Sequence, residues 1–173
     1  SVSRGLGDVY KRQLRASTTI TLALNNFNEI IPCFTPEEAF ELKKEINGII
    51  AGERSGKRVE GFDVGNSPKD VENYDTDIET LILTTSNGTR ILKDMNSTVL
   101  VGSMVNAKAV GYKSVEIAEN EIDVVMAGYK GNFALEDFLA AGEILYWVCD
   151  RLNNECEISD YAKAAIMASR DYD

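Results

Sequence analysis

Three arginines, Arg15, Arg54 and Arg90, stand in three short stretches rich in hydroxyl groups or glycine: LRAST at 14–18, AGER at 51–54 and TTSNGTR at 84–90. A guanidinium is a fork of N–H donors that matches the paired oxygens of phosphate, carboxylate or sulfonate. Neutral polar groups crowd the same stretches and one further along, GSMVN at 102–106. They are Ser17, Thr85, Asn87, Thr89, Ser103 and Asn106. Gly88 would let the backbone approach a bound group. Four carboxylates complete the set. Glu53 and Asp63 lie in a segment read as a long loop, residues 51–68, and Glu136 and Asp137 follow the glycine-bearing AGYKGN at 127–132. Either pair could ligate a metal or move a proton. First-turn acids such as Glu136 and Asp137 can equally do no more than complement a helix dipole. Such a collection suits the reception of a small, multiply charged anion.

Composition removes several other chemistries. Histidine is absent, which excludes a Ser-His-Asp triad, a phosphohistidine intermediate and a His-rich zinc site. Any metal would meet oxygen ligands, which suits Mg²⁺ or Ca²⁺ better than zinc. The formal net charge of −10 argues against a nucleic-acid partner. No apolar run approaches the roughly 18 residues of a membrane span, and no charged leader precedes an apolar stretch, so the expectation is a cytoplasmic protein without a membrane partner. Cys33, Cys149 and Cys156 are odd in number and unrelated in spacing, so they do not suggest a disulfide framework.

Three near-motifs fail on spacing or context. AGERSGKR at 51–58 resembles a phosphate-binding Walker loop, but only three residues separate Gly52 from Gly56, and Arg58 stands where Ser or Thr is required. DTDIET at 75–80 precedes a strand, where an aspartyl nucleophile would follow one, and reads as a solvated acidic loop. No cysteine is followed six positions later by arginine, which argues against a cysteine phosphatase.

These residues must be held by strands and helices in alternation. NEIIPCF, GII, TLILTT, STVLVGSMVN and IDVVMAGYKGN read as strands; LRASTTITLALNN reads equally as strand or helix. TPEEAFELKKEING carries the clearest helix start, with Thr35 as N-cap, Pro36 at the first position and Glu38 three residues after the cap. Glu37, Glu38 and Glu41 therefore have a structural explanation. GTRILKDM, AKAVGYKSVEIA and SDYAKAAIMASRDY are further helices. FALEDFLAAGEILYWVCDRL is amphipathic, with Leu135, Phe138, Leu139, Leu145, Cys149 and Leu152 at helical spacing. The alternation predicts an α/β fold, a mostly parallel sheet sandwiched by helices (α/β/α). In such sheets ligands bind beyond the carboxyl ends of the strands, where the polar stretches fall.

The blocks LRAST, AGER with GFDVGNSP, TTSNGTR, GSMVNA and AGYKGNFALED, taken in order and spacing, resemble the 2-phosphosulfolactate phosphatase family. The resemblance runs from about Leu14 to the C-terminus. It implies Mg²⁺-dependent hydrolysis of 2-phosphosulfolactate to 3-sulfolactate and phosphate, a step of coenzyme M biosynthesis, by an α/β/α enzyme that is a homodimer at full length. It implies that Arg15, Arg54 and Arg90 bind substrate anions, that Ser17, Thr85, Asn87, Gly88, Thr89, Ser103 and Asn106 supply hydrogen bonds or backbone approach, and that Glu53, Asp63, Glu136 and Asp137 are the candidates for metal ligation or catalysis. Another small 2-phospho acid as substrate, or an inactive anion-binding fragment, are the alternatives. Residues 1–13 depart from the family pattern, which leads into LRAST through an aspartate-bearing apolar strand. The expected organisation is a non-native or disordered segment at 1–13 and a single phosphatase-like domain at 14–173, incomplete at both ends.

Overall fold

The structure, a computed structural model, describes residues 16–54, 56–85, 98–128 and 132–171. The chain divides into two compact units, Ser1–Val99 and Leu100–Asp173.

In the first unit helix α1 covers 16–23, which settles the open reading of LRASTTITLALNN in favour of helix. Strand β1 (Glu29–Cys33), helix α2 (Pro36–Glu45), strand β2 (Ile49–Arg54), the short β3 (Lys57–Arg58), helix α3 (Pro68–Glu72) and strand β4 (Thr80–Thr84) follow. The start of α2 is built as its sequence predicts. The Thr35 hydroxyl accepts from the Glu38 N–H at 3.1 Å, and the Glu38 carboxylate reaches back to the Phe34 N–H at 2.6 Å. Two otherwise orphaned donors are thereby satisfied.

The strand order is β1-β4-β2-β3. β4 runs parallel to both neighbours, with Ile31 opposite Ile82 on one side and Ile50 opposite Ile82 on the other. β2 and β3 form an antiparallel hairpin. Residue 64 adds a further parallel bridge, Val64 to Ala51, on the side of β2 away from β4. Alternation along the strands then sorts the core into two faces. Ile49, Ala51, Leu81 and Leu83 pack with Ala23 and Phe27 at α1 and its exit and with Val71 of α3; Cys33, Ile50 and Ile82 pack with Ala39 of α2 and Phe62. Helices thus cover both faces of a mostly parallel sheet.

Gly52 is required by this packing. A Cβ there would lie 2.3 Å from the Thr84 carbonyl oxygen and 2.9 Å from its methyl carbon.

The second unit holds a single turn of 3-10 helix (Met104–Asn106) and helices α4 (Ala107–Ile117), α5 (Leu135–Arg151) and α6 (Asp160–Arg170). α5 packs on α4 where a Cβ on Gly111 would meet the Ile144 carbonyl oxygen at 2.9 Å. It packs on α6 where one on Gly142 would meet the Ala165 carbonyl oxygen at 2.0 Å. Ser159 caps α6, its hydroxyl accepting from the Ala162 N–H at 3.2 Å.

Several expectations need correction. AGER does not follow a strand; it forms the last four residues of β2. The stretch 51–68 is not one long loop, because the hairpin to β3, the Val64 bridge and the start of α3 fall within it. The segments read as strands at 97–106 and 122–132 are not strands where described. Residues 98–103 and 121–128 carry no strand assignment, and 104–106 form the helical turn. A strand exists only through a partner, and among the described residues of these segments only a lone bridge at Asn132 is formed. In α5 the buried face is set by Leu139, Ala140, Ala141, Gly142, Ile144, Val148 and Cys149, while Leu135 is exposed. Small residues, which the spacing of large ones does not reveal, mark where α6 approaches.

Gly52→Ala is expected to lower stability by roughly 1–3 kcal/mol through overpacking, read as a lower urea midpoint. Gly65→Ala, whose Cβ would meet nothing nearer than 3.8 Å, is expected to leave it nearly unchanged.

Candidate active site

The strands β1, β4 and β2 end together, and Arg54 lies at that edge. Its Nη2 donates to the Phe34 carbonyl and to the Thr84 hydroxyl, each at 2.8 Å, and its Nη1 donates to the Glu53 carbonyl at 2.7 Å. The guanidinium therefore holds the ends of three neighbouring segments. Of its five donors, the Nε–H and one Nη1 hydrogen have no acceptor among the described residues. Thr84 and Thr85 are buried at the same edge. Ser17 lies at the start of α1, where its carbonyl accepts from the Thr21 hydroxyl at 2.9 Å.

Alternation parts Glu53 from Arg54, since neighbouring strand residues point to opposite faces. The Glu53 carboxylate accepts from the Gly56 N–H at 2.6 Å. It also lines a cavity of about 760 Å³ together with Arg58, Asp63, Asn66, Ser67, Lys69, Asp70, Asn73 and Tyr74. Asp63 is taken up by the fold: one oxygen accepts from Lys43 Nζ at 2.6 Å and from the Ile50 N–H at 2.8 Å. Asn66 is buried, and its Oδ1 has no hydrogen-bond partner among the described residues. Arg58, Asn66 and Lys69 were not singled out by sequence reasoning. The available signal was that GNSP leads straight into a helix, α3, after a stretch pairing with β2.

In the second unit Ser103 and Asn106 turn toward each other. Asn106 Oδ1 accepts from the Ser103 N–H at 2.8 Å and from its hydroxyl at 3.2 Å, and Asn106 Nδ2 donates to the Val101 carbonyl at 3.1 Å. This pair braces the turn that opens α4, and most of its hydrogen-bonding capacity is spent there.

The two acids at the start of α5 separate sharply. Asp137 accepts from the Gly128 N–H at 2.8 Å and so ties the glycine-bearing segment to the helix. Burial raises its pKa, and the Gly128 N–H opposes that rise. Both carboxylate oxygens of Glu136 are buried without a hydrogen-bond partner among the described residues. Burial is the first cause that raises its pKa. Its own backbone N–H works against the shift, and the Asp137 charge adds to it. A desolvated carboxylate without a well-formed hydrogen bond is unfavourable unless it is protonated or meets a cation.

Among the described residues no group of three or more Asp, Glu, Cys or His side chains could hold a metal by itself. Mg²⁺ seldom needs one: it is commonly bound through one or two carboxylates, with waters and substrate phosphate oxygens completing the octahedron. Glu136 fits the role of such a carboxylate. Arg15, Asn87, Gly88, Thr89 and Arg90 lie outside the described residues.

A mostly parallel α/β/α sheet whose strand ends gather an arginine and hydroxyls is an architecture suited to small anions. Sequence comparison gives it a family. The model of the family described as 2-phosphosulpholactate phosphatase matches residues 13–173, and the chain belongs to that family. It is 46% identical over 158 residues to the 2-phosphosulfolactate phosphatase of Methanothermobacter thermautotrophicus, across 91% of this chain and 65% of that protein. A Clostridium acetobutylicum protein named "Probable 2-phosphosulfolactate phosphatase" is 41% identical over 160 residues, across 88% of this chain and 66% of its own length. A Clostridium beijerinckii protein of the same name is 38% identical over 159 residues, with the same coverage. The chain thus spans about two thirds of the length of these relatives. No helix among the described residues is long and apolar enough to cross a membrane.

Glu136→Gln is expected to stabilise the metal-free protein at neutral pH. A carboxyl whose folded pKa is raised costs the fold nothing below its unfolded value, about 4.3, and its penalty grows as pH rises through the folded value. With EDTA present, the variant's urea midpoint should exceed the parent's at pH 7, and the two should converge as pH falls to about 4. A variant midpoint at or below the parent's at neutral pH would show that the charge already has a partner.

Proposed function

We propose that this protein is a Mg²⁺-dependent phosphomonoester hydrolase that converts 2-phosphosulfolactate and water to 3-sulfolactate and phosphate. The observation that carries this reading is the family match across residues 13–173. Each unit taken by itself offers support: in the second, the buried Glu136 carboxylate suits a divalent cation, and in the first, the unused donors of Arg54 suit an oxyanion. The substrate carries phosphate, carboxylate and sulfonate on a short skeleton, so cationic and N–H donors must outnumber carboxylates that face it.

In this reading Arg54, with Arg15 and Arg90, receives substrate oxygens. Thr85, Asn87, Thr89 and the Gly88 backbone contribute neutral hydrogen bonds. Glu136 holds the cation, and Asp137 fixes the Gly128 segment beside it. Bound Mg²⁺ supplies neutralisation of phosphoryl charge and a lowered pKa for an attacking water. Ser17 contributes a further neutral hydrogen bond, and Ser103 and Asn106 act through the turn that they brace. Glu53 is the remaining candidate for proton transfer. The reading also places the reaction in the cytoplasm and the full-length protein in a homodimer, as the family resemblance implies.

The test is phosphate release from 2-phosphosulfolactate with Mg²⁺ and again with EDTA, beside phospholactate and phosphoglycerate. Release that requires Mg²⁺ and favours the sulfonated substrate is expected. Glu136→Gln should lower kcat/KM by about 100-fold or more, and Mg²⁺ should raise the melting temperature of the parent but not of this variant. Arg90→Glu should raise KM at least about tenfold, since it replaces a charge-assisted hydrogen bond with repulsion. Equal turnover of all three phosphoesters would move the assignment to a broader 2-phospho acid hydrolase. Turnover untouched by EDTA would remove the metal from the mechanism.

A further inference from the structure

Cys149 and Cys156 are seven residues apart in sequence, yet their sulfurs lie 3.6 Å from each other. The turn between them makes that approach. α5 ends at Arg151, and the chain then reverses through Asn153 and Asn154, both with positive φ (54° and 61°). Asparagine tolerates this left-handed conformation better than most residues. The reversal is pinned by the Asn154 N–H, which donates to the carbonyl of Cys149 itself at 2.8 Å. The Asn153 N–H donates to the Asp150 carbonyl at 3.1 Å, and the Glu155 N–H to that of Leu152 at 2.9 Å. Cys156 is thus laid back over the last turn of the helix. Cys149 is buried there, Cys156 is half-buried, and both are free thiols.

We propose that Cys149 and Cys156 form a dithiol modification site that closes to an intramolecular disulfide on exchange with a low-molecular-weight disulfide. The half-buried Cys156 is the sulfur such a reagent can reach. Its thiolate attacks one sulfur of the reagent, a mixed disulfide forms, and one small thiolate leaves. The Cys149 thiolate then attacks the Cys156 sulfur, and the second small thiol departs. Two protein thiols are oxidised and one small disulfide is reduced to two thiols, so electrons and protons balance. Closure needs the sulfurs to approach by only about 1.5 Å, to the ~2.05 Å of a disulfide bond. Burial first, and the neighbouring Cys156 second, push the Cys149 thiol up to about 11, which leaves Cys156 as the thiol that opens the exchange. The bond would clamp the turn that connects α5 to α6. This inference is independent of the proposed phosphatase activity.

The experiment exposes the folded chain to glutathione disulfide in mildly alkaline buffer, blocks residual thiols and digests with trypsin. Cleavage after Lys130, Arg151 and Lys163 puts the two cysteines in separate peptides, 131–151 and 152–163. The expected product is these peptides joined, an intact mass lower by two hydrogens, and a fall in titratable thiols from the three in the sequence to one. Cross-linking should be at least about tenfold faster in the folded chain than in urea, because the fold supplies proximity. Cys149→Ser should instead stop at a lasting glutathione adduct on Cys156, and Cys156→Ser should give no cross-link. A lasting adduct on Cys156 in the parent chain, no reaction, or equal rates folded and unfolded would each overturn the proposal.

Discussion

The first unit depends on β4 having a hydrogen-bonded neighbour along both edges. Its central residues, Leu81, Ile82 and Leu83, are wholly buried, because β1 and β2 close the flanks while helices close both faces. That double pairing forces the helices apart: β1 to β2 steps across β4 through α2 on one face, and the return to β4 passes through α3 on the other. It also brings the ends of three strands into line. Gly52 allows β2 to press against Thr84, and Arg54, two residues on, can then reach Phe34 and Thr84 together. The edge where an anion is expected is consequently the place where a guanidinium is already oriented by three protein acceptors. An arginine so fixed loses less side-chain entropy on meeting a ligand than one waving in solvent.

The acids divide by what they already hold. Asp63 neutralises Lys43 and accepts from the backbone of β2. Glu53 closes the turn into β3 through the Gly56 N–H. Asp137 anchors Gly128. Each has a structural reason to be a carboxylate, and losing it would loosen a loop. Glu136 has no such reason among the described residues, yet its oxygens are buried. Its place in the first turn of α5 could be read as complementing the helix dipole, but that effect is modest and needs no desolvation. Its burial is what the proposed cation would offset.

What was legible in the sequence was local. The Thr35–Pro36–Glu38 start, the strands β1 and β4 and the helices α4 and α6 are written in neighbouring residues, and the structure realises them. What was not legible depends on distant partners. TVLV and IDVVM have the composition of strands, but composition does not supply the neighbour that a strand requires. AGER looks like a loop because it is small and polar, yet it continues β2, since Thr84 lies opposite Gly52 and Arg58 opposite Glu53. The site followed the same rule. Residue types announced anion chemistry, while the use of Ser103 and Asn106 on each other, and the division between Glu136 and Asp137, appear only in three dimensions.

The second unit shows the same dependence on close approach. α5 is predicted by its large apolar residues, but its contact with α6 is made where Gly142 admits the Ala165 carbonyl and with α4 where Gly111 admits the Ile144 carbonyl. Helices that pack through glycine bring their backbones together and leave little freedom in crossing angle. That rigidity fixes both ends of α5. At its start stand Glu136 and Asp137, and at its close Cys149 meets Cys156 across a turn held by three backbone hydrogen bonds. A desolvated carboxylate is costly to keep, and two thiols meet only where the backbone between them is held. Both stand at the ends of a helix whose neighbours Gly111 and Gly142 allow to approach closely, so its two ends are held while its middle does the packing.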